Sequence, residues 1–174
     1  MLHHVRDIEC KPFSPNCHLS VSPEFLDAMI LRLKLEGYEF ISMDEVADRV
    51  ANPDSHRKPF LAITLDDGYR NNLENAVPIF RRHQVPYMIY VAPGLVEGTH
   101  TLWWEDVEAI IARRKKVTVE YTHETIEYSI LTDREKNSAF VDMTILGNCR
   151  LLIEKPLKLE TITSLHMLPV LSQV

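Results

Sequence analysis

Short apolar runs of strand length alternate with longer amphipathic stretches through residue 115, and this alternation constrains the fold more than any other feature of the chain. "MLHHV" is short and strand-like. Ser22, Pro23 and Glu24 form a helix start, with a capping hydroxyl and then a proline at the first helical position. Phe25, Met29 and Leu33, with Leu26 and Ile30 on the adjacent row, recur at helical spacing until Gly37. "YEFIS" reads as a strand and "MDEVADRV" as a short helix. "FLAITL" at 60–65 is a continuous apolar run, the length of a strand buried on both faces of a parallel sheet. "NNLENAVPIFRRHQ" suits a helix crowded at its middle by Pro78. "PYMIYVAPG" is a further strand and "TLWWEDVEAIIARRKK" an amphipathic helix. The expectation is an α/β fold, with βα units around a parallel sheet or barrel.

Beyond residue 115 the pattern changes. "KVTVEYTHETIEYSIL" alternates with period two on either side of 122–124, which predicts a hairpin inserted near 116–131. Residues 141–174 contain no aromatic residue, and Pro156 and Pro169 interrupt their weak periodicity. They are assigned to no element. The expected organisation is therefore a βα domain over 1–140 followed by an atypical tail over 141–174.

A chain of 174 residues suits one domain with a real core, and 45% apolar with 25% charged residues indicates a soluble globular protein. The net charge of −6 argues against nucleic acid as a partner, and "RRKK" at 113–116 reads as a solvated helix end. Cys10, Cys17 and Cys149 lack paired-motif spacing, so neither a disulfide framework nor a zinc knuckle is predicted. No apolar stretch approaches the ~20 residues of a membrane span. The amino terminus lacks the basic-then-apolar build of a signal peptide, so the default expectation is a cytoplasmic protein.

"TLDDGYRNN" at 64–72 concentrates the candidate chemistry. Functional groups in α/β folds gather at the carboxyl ends of strands, where Asp66 and Asp67 stand. Neighbouring residues leaving a strand point in different directions, so the two carboxylates can take different tasks. Gly68 permits the sharp turn that brings both to the rim. One acid can bind a metal while the other takes a proton from metal-bound water. On its own, Asp-Asp-Gly is also an ordinary turn in which Asp67 caps the next helix.

The wider stretch "FLAITLDDGYRNNLENAVPIFRRHQVPYMIYV" resembles the first motif region of the polysaccharide deacetylase family, the nodulation-type or family-four carbohydrate esterases. Their Thr-Phe-Asp-Asp-Gly is here "TLDDG", with Leu65 in place of Phe. "SPEFLDAMILRLKLEGYEFISMDEV" is similar to the family's approach to that motif, "LHHV" to its initial Tyr-His strand, and "LWWEDVEAII" to a subgroup with a Trp-Trp-Glu helix start. The resemblance covers roughly residues 1–130. It implies a distorted (β/α) barrel, incomplete here at the carboxyl end. It also implies hydrolysis of N- or O-acetyl groups on a carbohydrate, with a divalent metal, zinc above all, as cofactor. Carried over by position, Asp66 matches the catalytic base and Asp67 the metal-ligand aspartate. His4 matches the opening-strand histidine near the mouth. Tyr69 and Arg70 follow the glycine at the rim, and Trp104 or Trp103 could stack on a sugar, although a place in the core suits one of the two tryptophans better.

The family's second motif, His-Ser/Thr-x-x-His, is missing. Of the eight histidines, at 3, 4, 18, 56, 83, 100, 123 and 166, no two lie four apart. A catalytic zinc takes three protein ligands and keeps one open position. His100 and His123 are substitute ligands only at long odds, and His3 and His4 alternate along a strand, so only one can face the mouth. The expectation is the amino-terminal part of a deacetylase domain, with weak metal binding and little hydrolysis. The alternative is a non-catalytic remnant that binds carbohydrate or a partner protein. Either form would leave apolar surface exposed and favour self-association. A magnesium-dependent phospho-acceptor has weaker support, because adjacent aspartates do not match Asp-x-Asp.

Overall fold

The computed structural model describes residues 1–9, 11–53, 58–121, 124–146 and 150–152. They form a mixed α/β protein of two compact units, one from Met1–Ile8 and Leu19–His100, the other from Glu9–His18 and the described residues from Thr101 onward. His56, His123, His166, Cys10 and most of the expected tail lie outside the described residues. Among the described residues, no helix is long and apolar enough to cross a membrane.

The first unit is built from short parallel strand pairs. Strand β1 (His4–Val5) pairs with β2 (Ser20–Val21). Strand β3 (Glu39–Phe40) pairs with β4 (Phe60–Leu61), and β5 (Ile63–Leu65) with β6 (Tyr87–Ile89). The run 60–65 is thus not one strand. It changes partner at Ala62, from β3 to β6, and its burial alternates: Ile63 and Leu65 are buried while Thr64 between them is half-buried. On its other side β5 meets the start of the chain through a parallel bridge, Leu2 to Leu65. The described strands do not close a barrel.

Local sequence sets the helices between these strands. Helix α1 (Pro23–Leu35) starts where the Ser22 hydroxyl accepts the Phe25 N–H, and the chain leaves it through Gly37 at φ +86°. It buries Leu26 and Ile30, whereas Phe25, on the adjacent row, is 57% exposed. Helix α2 (Met43–Ala51) begins with a reciprocal box in which the Ser42 hydroxyl accepts the Glu45 N–H and the Glu45 carboxylate accepts the Ser42 N–H.

The helix expected around Pro78 divides in two. A π-helical turn over Asn72–Ala76 runs into α3 (Val77–His83), and the Val77 N–H reaches the Asn72 carbonyl. Pro78 falls in the first turn of α3, where a missing N–H costs least. The short helix α4 (Pro93–Val96) follows β6. Val5, Leu26, Ile30, Ile63, Leu65, Ile79 and Phe80 form the core of this unit, so the strands that carry the acid pair stand on packed apolar side chains.

The second unit holds α5 (Trp103–Arg113), the predicted hairpin β7 (Lys116–Tyr121) with β8 (Glu124–Ser129), and α6 (Asp133–Leu146). Strand β9 (Arg150–Leu152) pairs antiparallel on the other edge of β7. The stretch from 141, left unassigned from sequence, therefore continues a helix to Leu146 and adds a strand. Phe13, Ile111, Val117, Val119, Ile130, Phe140 and Met143 form its core. Trp104 packs against this cluster, while Trp103 is 47% exposed and meets Trp104 edge to face. Cys17 is disulfide-bonded, which three cysteines without motif spacing did not foretell.

Candidate active site

The carboxyl end of β5 is held from both sides. The Leu2 N–H donates to the Thr64 carbonyl and the Asp66 N–H to the Leu2 carbonyl, each at 2.9 Å; the Tyr90 N–H donates to the Leu65 carbonyl at 2.8 Å. The backbone is therefore fixed up to Asp66. It then turns through two left-handed residues, Asp67 at φ +69° and Gly68 at φ +72°. Aspartate is among the few side-chain-bearing residues that tolerate this region. A Cβ on Gly68 would stand 3.1 Å from Val91 Cγ2, so glycine suits both the left-handed turn and the close approach of the segment after β6.

The turn separates the two carboxylates. Asp66 is half-buried, and its side chain makes no hydrogen bond or ion pair with any described residue. Asp67 swings toward the first strand, where its Oδ2 lies 3.0 Å from His3 Nδ1, with both side chains mostly buried. The Leu2–Leu65 bridge explains this meeting. Its parallel register lays His3 beside Asp66, and the left-handed step brings Asp67 across to His3.

His4 takes a different position from His3, as alternation along a strand requires. It is 3% exposed, and its ring centroid lies 3.6 Å from that of Tyr69. Asn71 Nδ2 lies 3.0 Å from His4 Nδ1, and Asn71 Oδ1 accepts the Val5 N–H at 2.9 Å. Asn75, one helical turn on, donates from Nδ2 to the Val5 carbonyl at 2.7 Å. The two asparagines thus satisfy both backbone polar groups of Val5, as a neighbouring strand would.

Tyr69 is buried. Arg70 stands 3.8 Å from Glu74 across one helical turn, and its Nε is buried without a hydrogen-bond partner among the described residues. Asn72 is fully buried, and neither end of its amide has a partner among the described residues. Trp104 belongs to the second unit. Sequence reasoning missed His3, Asn71 and Asn75. Only the alternation of His3 with His4 carried a signal, and it did not say which of the two would face the acids.

Among the described residues, no group of three His, Cys, Asp or Glu side chains could hold a metal ion. His3 and Asp67 supply two donors, one fewer than a hydrolytic zinc requires from protein. These residues do not by themselves fit the ion that the family resemblance implies.

No protein-family model and no curated protein matches the sequence. Among solved structures, the chain is similar to the Streptococcus pyogenes deacetylase PplD in complex with acetate, at 27% identity and a TM-score of 0.47, over 55% of this chain and 42% of that one. It is similar to IcaB from Ammonifex degensii at 18% identity and a TM-score of 0.46, over 63% and 46%. It is also similar to a de-N-acetylase from Aggregatibacter actinomycetemcomitans at 16% identity and a TM-score of 0.44, over 83% and 50%. The matched regions span half or less of each of these three proteins, between 42% and 50% of their length.

Proposed function

We propose that this chain carries the acid-pair half of a carbohydrate deacetylase centre, on the opening strands of a distorted (β/α) barrel. The supporting observation is the division of labour between Asp66 and Asp67 at the end of β5. Asp67 is engaged by His3 across the strand pair, while Asp66 keeps a carboxylate with no structural partner among the described residues. A carboxylate so placed can take the proton of a water attacking an acetyl carbonyl, a contribution of about 10²–10⁴-fold where the rest of a site is in place. The order and spacing of the "TLDDG" region and its flanks support the same reading. The substrate class is an acetylated carbohydrate.

The zinc that the resemblance implies requires donors beyond His3 and Asp67, so the chain alone is expected to bind zinc weakly and to release little acetate. This shortfall favours a second reading, a non-catalytic remnant that binds carbohydrate or a partner chain. Exposed Phe25, Leu31 and Leu35 along α1 support self-association in either case.

The deciding experiment measures zinc content after purification and acetate release from an acetylated chito-oligosaccharide, with and without added zinc. Release that Asp66→Asn abolishes supports the deacetylase reading. No release under any condition, with retained binding to the oligosaccharide or a self-associated state, selects the remnant.

A further inference from the structure

We infer that Asn71 is a positioning residue that holds the neutral ring of His4 in the tautomer with its proton on Nε2. His4 is thereby a hydrogen-bond donor at Nε2 and not a metal ligand at Nδ1. A backbone N–H can only donate. The 2.9 Å contact from the Val5 N–H therefore identifies the Asn71 atom facing it as the amide oxygen. The other end of the amide is then the NH2 group, and it lies 3.0 Å from His4 Nδ1. An NH2 group has no lone pair to offer, so the contact is a hydrogen bond only if His4 Nδ1 is the unprotonated acceptor. In a neutral ring the proton then sits on Nε2.

The surroundings hold this arrangement in place. His4 is 3% exposed and packed against the Tyr69 ring, and Asn75 fixes the same strand by donating to the Val5 carbonyl. With the Nδ1 lone pair taken by an amide N–H and Nε2 bearing a proton, neither nitrogen offers a lone pair to a cation. The inference uses only these contacts. Its meaning for catalysis, an opening-strand histidine that does not bind the metal through Nδ1, rests on the proposed deacetylase reading.

The test is a long-range ¹H–¹⁵N correlation spectrum of the imidazole nitrogens of the full-length ¹⁵N-labelled chain, taken at a pH above the histidine range. His4 is assigned by the signals that disappear in His4→Gln. The expected wild-type pattern is a protonated Nε2 and an unprotonated Nδ1. Asn71→Asp replaces the donor with an acceptor, so proton density should move to Nδ1. Asn71→Leu removes the partner and should give averaged shifts. A wild-type His4 protonated at Nδ1, or averaging between tautomers, overturns the inference, as does an Asn71→Asp spectrum identical to wild type. Should both variants fail to fold, the wild-type spectrum alone decides. Because this readout needs no turnover, absence of acetate release would count against the deacetylase reading and leave the tautomer assignment standing.

Discussion

Asp67, in a left-handed backbone conformation, places its carboxylate 3.0 Å from His3 Nδ1, a contact across 64 positions of sequence. One member of the acid pair is thereby tied into the fold, and the other has no side-chain partner among the described residues. Substitution should separate the two. Asp66→Asn is expected to leave stability within about 0.5 kcal/mol of wild type, as for residues without structural partners. Asp67→Ala loses both the His3 contact and a residue type that tolerates positive φ, and should cost about 1–2 kcal/mol. Urea midpoints measure both. A large loss in Asp66→Asn would mean that Asp66 is structural, and the base assignment would lose its support.

Gly68 should resist replacement for two reasons that can be measured apart. Its φ of +72° costs most side-chain-bearing residues about 1–2 kcal/mol, Asn and Asp excepted. An added Cβ also crowds Val91 at 3.1 Å. Gly37, at φ +86° with open space where a methyl group would stand, supplies the comparison with only the first cost. Gly68→Ala is expected to destabilise more than Gly37→Ala, and the excess should shrink in a Val91→Ala background. Equal effects at the two glycines would show that Val91 yields freely.

Asn72 lies fully buried, with both amide atoms unpartnered among the described residues. Burying such an amide costs about 1–3 kcal/mol against an apolar group of similar shape. Asn72→Leu should therefore raise the urea midpoint by an equivalent amount. A fall of similar size would instead place an ordered water or another polar partner on that amide.

The legible parts of the fold were the local ones. Ser22 before Pro23 marks a helix start because the cap acts within one turn, and the hairpin at 116–129 showed in period-two alternation. Asp66 and Asp67 could be placed at a strand end because the apolar run stops there. What sequence could not supply was register. The division of 60–65 at Ala62 depends on which strand lies alongside, and the choice of His3 over His4 as the partner of Asp67 follows from the Leu2–Leu65 bridge. The clamp of Asn71 and Asn75 on Val5 likewise joins residues about 70 positions apart. The π-helical turn before Pro78 answers the crowding expected from that proline by local rewinding.

Three surface glutamates give the protein an acid-side stability limit of definite sign. A hydrogen bond from Arg49, reinforced by its charge, holds the Glu39 carboxyl below its ordinary value of 4.5. The Ser42 N–H and hydroxyl do the same for Glu45, and the Thr132 N–H and hydroxyl for Glu135. Each native carboxylate is thus a weaker base than its unfolded counterpart. Its contribution is complete above 4.5 and is lost as pH falls through the lowered native values, because the unfolded chain then binds more protons. The melting temperature should therefore decline as pH drops below 4.5. In a Glu45→Gln, Glu135→Gln double variant it should start lower at neutral pH, since the Ser42–Glu45 box and the matching exchange between Thr132 and Glu135 at the start of α6 are both weakened, and decline less steeply. Parallel curves for variant and wild type through that window would mean that these capping carboxylates contribute nothing to the acid response.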